Sequence, residues 1–448
     1  MPPVTNEGSK LRNDTHTKKN YGSNEDIGSY QESNDAYVVK EDRYNLGYLS
    51  FFLIGIGMLL PWNFFINADQ YFKSKLKNNE SDLKLFESAF SICSQIPCGI
   101  ALIINLCLTN RVSRNGRVIS TLIISTICFI VTTVLVNVDT SAWTDKFFAV
   151  TLTSVAIINA CSGIFQGTIF GIAGAAGGRY IQGAVVGMSC AGTFASITNI
   201  ISLAVGDDIK LDSTIYFSIA SLVLFTCIFV YIGMFRLPVL KDKFEIKLYD
   251  DKMSSTSSTS SGENDCTGEQ SFCAVIRNIY PTALSVMCVF AVTLTIQPAI
   301  LSGIRSVNES NGSAFTNKYF TAVVGFLIFN VGDFVGRIIS GFVRIVDKKG
   351  PWLPILCVAR IAFIPLFMFC NFQPRHHLTV VFNKDIYPVI FNILFSVSNG
   401  YLASLCMMYG PERAPEGMME TAGATMQLFL TIGLGLGSVL SLAIVDTI

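Results

Sequence analysis

Long apolar runs alternate with short polar segments along most of this chain of 448 residues. A helix needs about 20 apolar residues to cross the hydrocarbon core of a membrane, and about eleven runs meet that length. They lie roughly at 46–67, 84–108, 118–138, 147–173, 180–205, 214–235, 279–302, 319–344, 352–370, 386–409 and 418–446. The second run contains Glu87 and Pro97, which a membrane helix tolerates where its neighbours satisfy the freed backbone groups. The pattern predicts an all-α integral membrane protein with about eleven transmembrane helices.

Two polar segments divide the chain. Residues 1–45 are polar and acidic, which does not fit a cleaved signal peptide and predicts a disordered cytoplasmic tail. Residues 236–278 centre on the Ser and Thr tract Ser254–Ser261, which predicts a flexible cytoplasmic linker. This linker separates a predicted six-helix bundle over 46–235 from a predicted five-helix bundle over 279–448.

The composition agrees with lipid as the solvent, because 51% of the residues are hydrophobic and only 14% are charged. A formal net charge of zero excludes a strongly basic nucleic-acid binder. Most of the 13 cysteines lie inside apolar runs without metal-ligand spacing, so we expect no metal and no cofactor. No GxxxxGK[ST] phosphate loop and no nucleophile constellation within the spans occurs, which argues against an ATP-driven pump and against a membrane enzyme.

Two signals predict the same orientation in the membrane. With a cytoplasmic N-terminus, most basic residues outside the spans fall on the cytoplasmic side, at 111–117, 236–247 and 344–349. Three glycosylation triplets then fall outside, and they begin at Asn79, Asn308 and Asn311. The loop after the first span is an exception, because its basic residues would also lie outside, at Lys73, Lys75 and Lys77. The prediction is an extracellular C-terminus and, from the triplets, the plasma membrane.

The eighth span carries an acid and a base. Asp333 and Arg337 stand four residues apart on one helix face, which Phe326 and Asn330 extend at helical spacing. An ionisable residue at membrane depth is costly and is by default a candidate for function. The alternative, an ion pair that only docks this helix against its neighbours, stays open.

Other spans carry polar or aromatic residues with two interpretations each. Gln166 in the fourth span offers both donors and an acceptor. Trp62 follows a proline in the first span and is either a broad aromatic contact or an interface anchor. Arg117 and Glu420, at the ends of the third and eleventh spans, form an inner gate if they meet, or else each faces water. No partner for Arg360 in the ninth span is assignable from the sequence.

Five short motifs occur in order along the membrane region, each on its own span. They are Gly57–Phe65 (GMLLPWNFF), Phe165–Gly171 (FQGTIFG), Asn330–Arg337 (NVGDFVGR), Ser398–Ser404 (SNGYLAS) and Glu420–Ala424 (ETAGA). Together they resemble the equilibrative nucleoside transporter family. The resemblance implies a fold related to the major facilitator architecture, with six and five helices and a substrate held between them.

The resemblance also implies roles for single residues. Trp62 would line the nucleobase side and Gln166 would bond the base, whereas Asp333 and Arg337 would contact the ribose hydroxyls. An outer gate would consist of Ile66, Pro298, Phe326 and Asn330. Ile66 stands where mammalian members are expected to carry methionine.

The function that follows is facilitative, sodium-independent transport of nucleosides such as adenosine and uridine by alternating access. A proton-coupled nucleoside or nucleobase transporter of the same family is the alternative. A receptor or channel is disfavoured, because no ligand-binding domain and no repeated pore-lining segment occurs. No required protein partner is evident, and the sequence does not separate purine from pyrimidine preference.

Overall fold

A computed structural model of the protein describes residues 42–68, 71–72, 75, 80–109, 111–140, 143–205, 209–241, 267–309, 313–348, 350–375, 377–445 and 447. Several predictions from the sequence lie outside these ranges. They concern the tail over 1–41, the tract Ser254–Ser261 and the candidate glycosylation residues Asn79 and Asn311. The side chain of Ile66 is likewise outside the described part.

The main helices of the described residues follow the order of the predicted spans. In the first half they are α1 (Leu46–Asn67), α2 (Glu80–Leu108), α3 (Arg114–Asn137), α4 (Thr144–Ala176), α5 (Gly178–Val205) and α6 (Ile209–Met234). In the second half they are α7 (Thr267–Ile296), α8 (Phe315–Phe342), α9 (Trp352–Met368), α10 (Ile386–Glu412) and α11 (Met419–Val445). The first part of α8 is wound as a π-helix over Phe315–Tyr319 and Thr321–Leu327, and α9 contains a 3-10 turn over Arg360–Ala362.

Within the described residues, nine helices are long and apolar enough to cross a membrane. The other two, α2 and α9, contribute the shorter apolar stretches Cys93–Leu108 and Trp352–Met368. The first part of α2 is rich in charged residues. The ninth helix ends at Met368, before the predicted end of its span at residue 370, and it carries Arg360. The all-helical class is therefore confirmed, whereas the number of eleven spans stays a prediction.

The seventh helix differs most from its predicted bounds. It begins at Thr267, within the segment that the sequence predicts as linker, and it ends at Ile296. It ends there because Pro298 lacks the backbone N–H that would continue the helix and restricts the residue before it. A separate short helix, Ala299–Gly303, follows. The division into bundles over 46–235 and 279–448 stays a prediction.

Contacts between helices fall into two sets joined along one seam. In the first set, α1 packs against α5 and α6, and α4 packs against α2 and α3. In the second set, α7 packs against α10 and α11, and α8 packs against α10. The seam joins α4 to α11 and α5 to both α8 and α10. Side chains at the seam can therefore link the two sets.

Glycines allow the closest of these approaches. A Cβ atom at Gly187 would overlap the carbonyl oxygen of Phe52, and one at Gly400 would overlap that of Asp333. A Cβ atom at Gly163 would lie 2.6 Å from the carbonyl oxygen of Cys98. Small residues let helix backbones pack tightly in a membrane. These glycines are therefore packing residues, and Gly400 brings α10 against the charged turn of α8.

Candidate functional site

Asp333 and Arg337 form a buried ion pair in α8. Arg337 Nε donates to Asp333 Oδ2 at 2.7 Å, and both residues are almost fully buried. The hydroxyl of Ser189 donates to the same Oδ2 at 2.5 Å. Arg337 Nη1 donates to the carbonyl oxygen of Val185 at 3.1 Å. Because Ser189 and Val185 belong to α5, the pair links the two sets of helices across the seam.

A second buried arginine supports this pair through an asparagine. Asn399 Nδ2 donates to Asp333 Oδ1 at 2.6 Å, while Asn399 Oδ1 accepts from Arg360 Nη1 at 2.8 Å. Thr293 Oγ1 donates to Asn399 Oδ1 at 2.7 Å and accepts from Arg360 Nη2 at 3.2 Å. The guanidinium of Arg360 lies 4.7 Å from the ring centre of Phe395. The structure therefore supplies the partners of Arg360 that the sequence left unassigned.

The cluster of Asp333, Arg337 and Arg360 carries two positive charges and one negative charge. Arg360 is only 2% exposed. Buried charges are retained only where they are paired or hydrogen-bonded, and this network meets that condition across α5, α7, α8, α9 and α10. Guanidinium and carboxylate groups held so rigidly can read hydroxyl groups, because a hydroxyl both donates and accepts.

Gln166 forms a separate polar contact between α4, α1 and α11. Its Nε2 donates to Ser162 Oγ at 2.7 Å and to the carbonyl oxygen of Met58 at 3.5 Å. Its Oε1 accepts from Gln427 Nε2 at 2.8 Å. Gln427 is not among the residues predicted from the sequence, although a glutamine inside an otherwise apolar span is a signal for such a contact.

Trp62 lies in the lining of a cavity that also includes Met58 and Ser162, two residues that Gln166 contacts. This cavity of ≈ 30 Å³ lies between α1, α3, α4 and α6, and Asn159 also lines it. This volume holds only a few water molecules. A solute the size of a nucleoside therefore fits this cavity only if the helices around it move apart.

Two of the predicted outer-gate residues, Phe326 and Asn330, contact each other within α8. Asn330 Nδ2 donates to Ser196 Oγ of α5 at 2.8 Å and to the carbonyl oxygen of Phe326 at 3.0 Å. The hydroxyl of Thr193 donates to the carbonyl oxygen of Asn330 at 3.0 Å. Asn330 therefore joins α8 to α5 by hydrogen bonds. Pro298 lies immediately before the short helix that follows α7.

The predicted inner-gate residues meet. Arg117 Nη2 lies 3.9 Å from Glu420 Oε1, and Arg114 Nη1 lies 3.7 Å from Glu420 Oε2. Arg117 is buried and also donates to Asn105 Oδ1 at 2.7 Å and to Thr168 Oγ1 at 3.3 Å. Glu420 therefore joins α11 to α3, and the interpretation in which each residue merely faces water is wrong.

The described side chains include no group of three or more His, Cys, Asp or Glu residues that could hold a metal ion. Of the three candidate glycosylation residues, Asn308 alone is described. It is exposed, and its Nδ2 lies 3.4 Å from Asp385 Oδ2. Glycosylation stays a prediction.

Comparison with known proteins places the chain among transporters. A family model described as nucleoside transporter matches residues 152–446. Equilibrative nucleoside transporter 3 of Rattus norvegicus is 34% identical over 426 residues, which cover 89% of this chain and 88% of that protein. Equilibrative nucleoside transporter 1 of Homo sapiens is 32% identical over 446 residues, which cover 90% of this chain and 97% of that protein.

The fold is shared with solved transporters. XylE, a proton:xylose symporter of the major facilitator superfamily solved with 6-bromo-6-deoxy-D-glucose, superposes with a TM-score of 0.55 at 12% sequence identity. The match covers 88% of this chain and 86% of that protein. The predicted major-facilitator-like architecture of a multi-pass membrane protein is therefore confirmed.

Proposed function

This chain belongs to the nucleoside transporter family, and from that premise we propose that it carries nucleosides such as adenosine and uridine across a membrane by facilitative transport. The observation that carries the proposal is the buried pair of Asp333 and Arg337 on the seam between the two sets of helices. A polar site that both sets share changes its environment when they move relative to one another. Substrate binding there is coupled to that movement.

Each site residue has a chemical role in this proposal. Asp333 accepts from the ribose hydroxyls and Arg337 donates to them, which takes over part of the bonding that they now share with each other and with Ser189. Gln166 bonds the edge of the nucleobase, and Trp62 covers its face. A site built to bond hydroxyls discriminates against sugars that lack them, because its own polar groups are then left unpaired.

The gate residues in this proposal are those that the sequence predicts. Ile66, Pro298, Phe326 and Asn330 form the outer gate, and Arg117 with Glu420 forms the inner gate. Rigid helical sets rock about the bound solute, so that the site opens to one side at a time. Because nucleosides are neutral at pH 7, the membrane potential does no work on them, and the carrier equalises their concentrations without sodium or a cofactor.

We place the N-terminus and the inner gate in the cytoplasm, the C-terminus outside and the protein in the plasma membrane. The support is the clustering of basic residues in the predicted cytoplasmic segments, which include Arg111, Arg114 and Arg117. No catalytic role is assigned to any residue, and the proposed partners are nucleosides and the lipid bilayer.

The first test is uptake of radiolabelled uridine and adenosine by cells that lack endogenous carriers, at neutral and acidic outside pH and with sodium replaced by choline. We expect saturable uptake that stops at equal concentrations and ignores both changes, and that collapses in Arg337→Ala. Accumulation driven by acid outside pH would instead support the proton-coupled alternative. Absence of uptake from a surface-expressed protein would refute both.

The ion pairs of Glu420 at the proposed inner gate can be tested separately. Glu420→Gln removes the charge that joins α11 to Arg114 and Arg117, and we expect it to favour the state in which the gate is open. A partly exposed ion pair contributes about 0.5–1 kcal/mol, so the ratio of the KM values for influx and efflux should change roughly two- to fivefold. Initial rates in both directions measure this ratio. The matched control is Glu416→Gln, on an exposed residue nearby, and an equal change in the control would argue against a gate.

A further inference from the structure

Gln427 is the buried amide of α11 that faces Gln166. It is 1% exposed, and its Nε2 donates to Gln166 Oε1 at 2.8 Å. The contact crosses the seam between α4 and α11, so the two amides lie between the two sets of helices. Gln427 therefore lies beside the residue proposed to bond the nucleobase.

The orientation of both amides follows from a backbone group. The carbonyl oxygen of Met58 can only accept, which favours the orientation in which the nitrogen of the Gln166 amide points toward it, 3.5 Å away. The oxygen of Gln166 must then face Gln427. Since that oxygen can only accept, Gln427 presents its own nitrogen there. The carbonyl oxygen of Gln427 is left pointing away from the contact.

That oxygen has no hydrogen-bond partner within the described part of the chain, although it is buried. A buried acceptor without a donor is costly, and native proteins keep few of them. Functional sites are one place where such an atom is retained, because a ligand supplies the missing donor. A ligand with an N–H or O–H group would therefore supply the hydrogen bond that Gln427 Oε1 lacks.

We infer that Gln427 is a specificity-determining residue whose Oε1 accepts a hydrogen bond from an N–H group of the nucleobase. This inference rests on the proposed function. The ribose hydroxyls are assigned to α8, and Gln427 bonds the amide that reads the base, so the base is the part of the substrate within its reach. Adenosine offers the N–H of its exocyclic amino group, and uridine offers the N–H of its ring. Purine riboside, which is adenosine without that amino group, offers none.

The test compares adenosine with purine riboside in the wild type and in Gln427→Met, which keeps the length of the side chain but removes the acceptor. We expect Vmax/KM for adenosine to fall roughly tenfold in the variant, as for the loss of one hydrogen bond, while that for purine riboside stays within about twofold. Rates are corrected for protein at the cell surface. Gln427→Leu is the second variant, in case methionine impairs folding.

Thr431→Val is the matched control, because it removes a buried polar group one helical turn further along α11. We expect it to leave the ratio of the two substrates unchanged. Equal losses for both substrates in Gln427→Met and Gln427→Leu would show that Gln427 only holds α11 against α4 and would overturn the inference. Wild-type uptake of neither substrate would overturn the proposed function, and this inference with it.

Discussion

Asp333→Asn is expected to reduce nucleoside uptake about a hundredfold or more, because it breaks a buried ion pair and leaves Arg337 without its counter-charge. The carboxylate accepts from Ser189, Arg337 and Asn399 at once. An asparagine of the same shape has one acceptor and one donor group, so at least one of these three donors would face another donor. Breaking one partner of such a pair costs about 3–5 kcal/mol.

The double variant Asp333→Leu with Arg337→Met separates a functional pair from one that only docks α8. Removing both charges avoids the unpaired guanidinium, so thermal stability and surface expression should recover toward those of the wild type. Uptake should not recover, because both groups proposed to bond the ribose are gone. Recovery of uptake in the double variant would assign the pair to docking alone. Asp347→Asn, the same change at an exposed position after α8, serves as the control.

Arg360→Lys is expected to destabilise the protein by about 3 kcal/mol and to remove most of its uptake. Arg360 bonds Asn399, Thr293 and Phe395 from two nitrogens while its plane lies over a ring. Lysine has one nitrogen and cannot reproduce this fork, yet it keeps a buried charge. Asn399 then loses its hydrogen bond from Arg360, so Asn399 no longer holds Asp333 in position.

The methionine and lysine variants of Arg360 are expected to differ in thermal stability. Arg360→Met removes the charge as well as the bonds, so it should unfold at a higher temperature than Arg360→Lys although both transport poorly. Thermal unfolding of the detergent-solubilised protein, beside uptake in cells, measures both properties. Arg236→Lys on an exposed arginine after α6 is the control. A lysine variant as stable and as active as the wild type would contradict the role given to the fork.

The helices and their order follow from the sequence alone. Runs of apolar residues long enough for a bilayer depend only on neighbours along the chain, so their order and approximate bounds are readable without the fold. The stripe of Phe326, Asn330, Asp333 and Arg337 was predictable for the same reason, because helical spacing places these residues on one face. Helix ends differ more from their predicted positions, as α7 shows, because they depend on proline and on charges near the interface.

Which polar groups meet depends on how the helices are arranged in space. Asn399 bonds Asp333 across 66 positions of the chain, and Gln427 bonds Gln166 across 261. Whether such groups touch depends on how the helices pack, which includes the close approach of α10 that Gly400 allows. The apolar pattern specifies that a helix is buried in lipid or protein, but it does not specify a partner. Hydrogen bonds are directional and short, so the partners of Arg360 and the orphaned oxygen of Gln427 became visible only once the helices were placed in space.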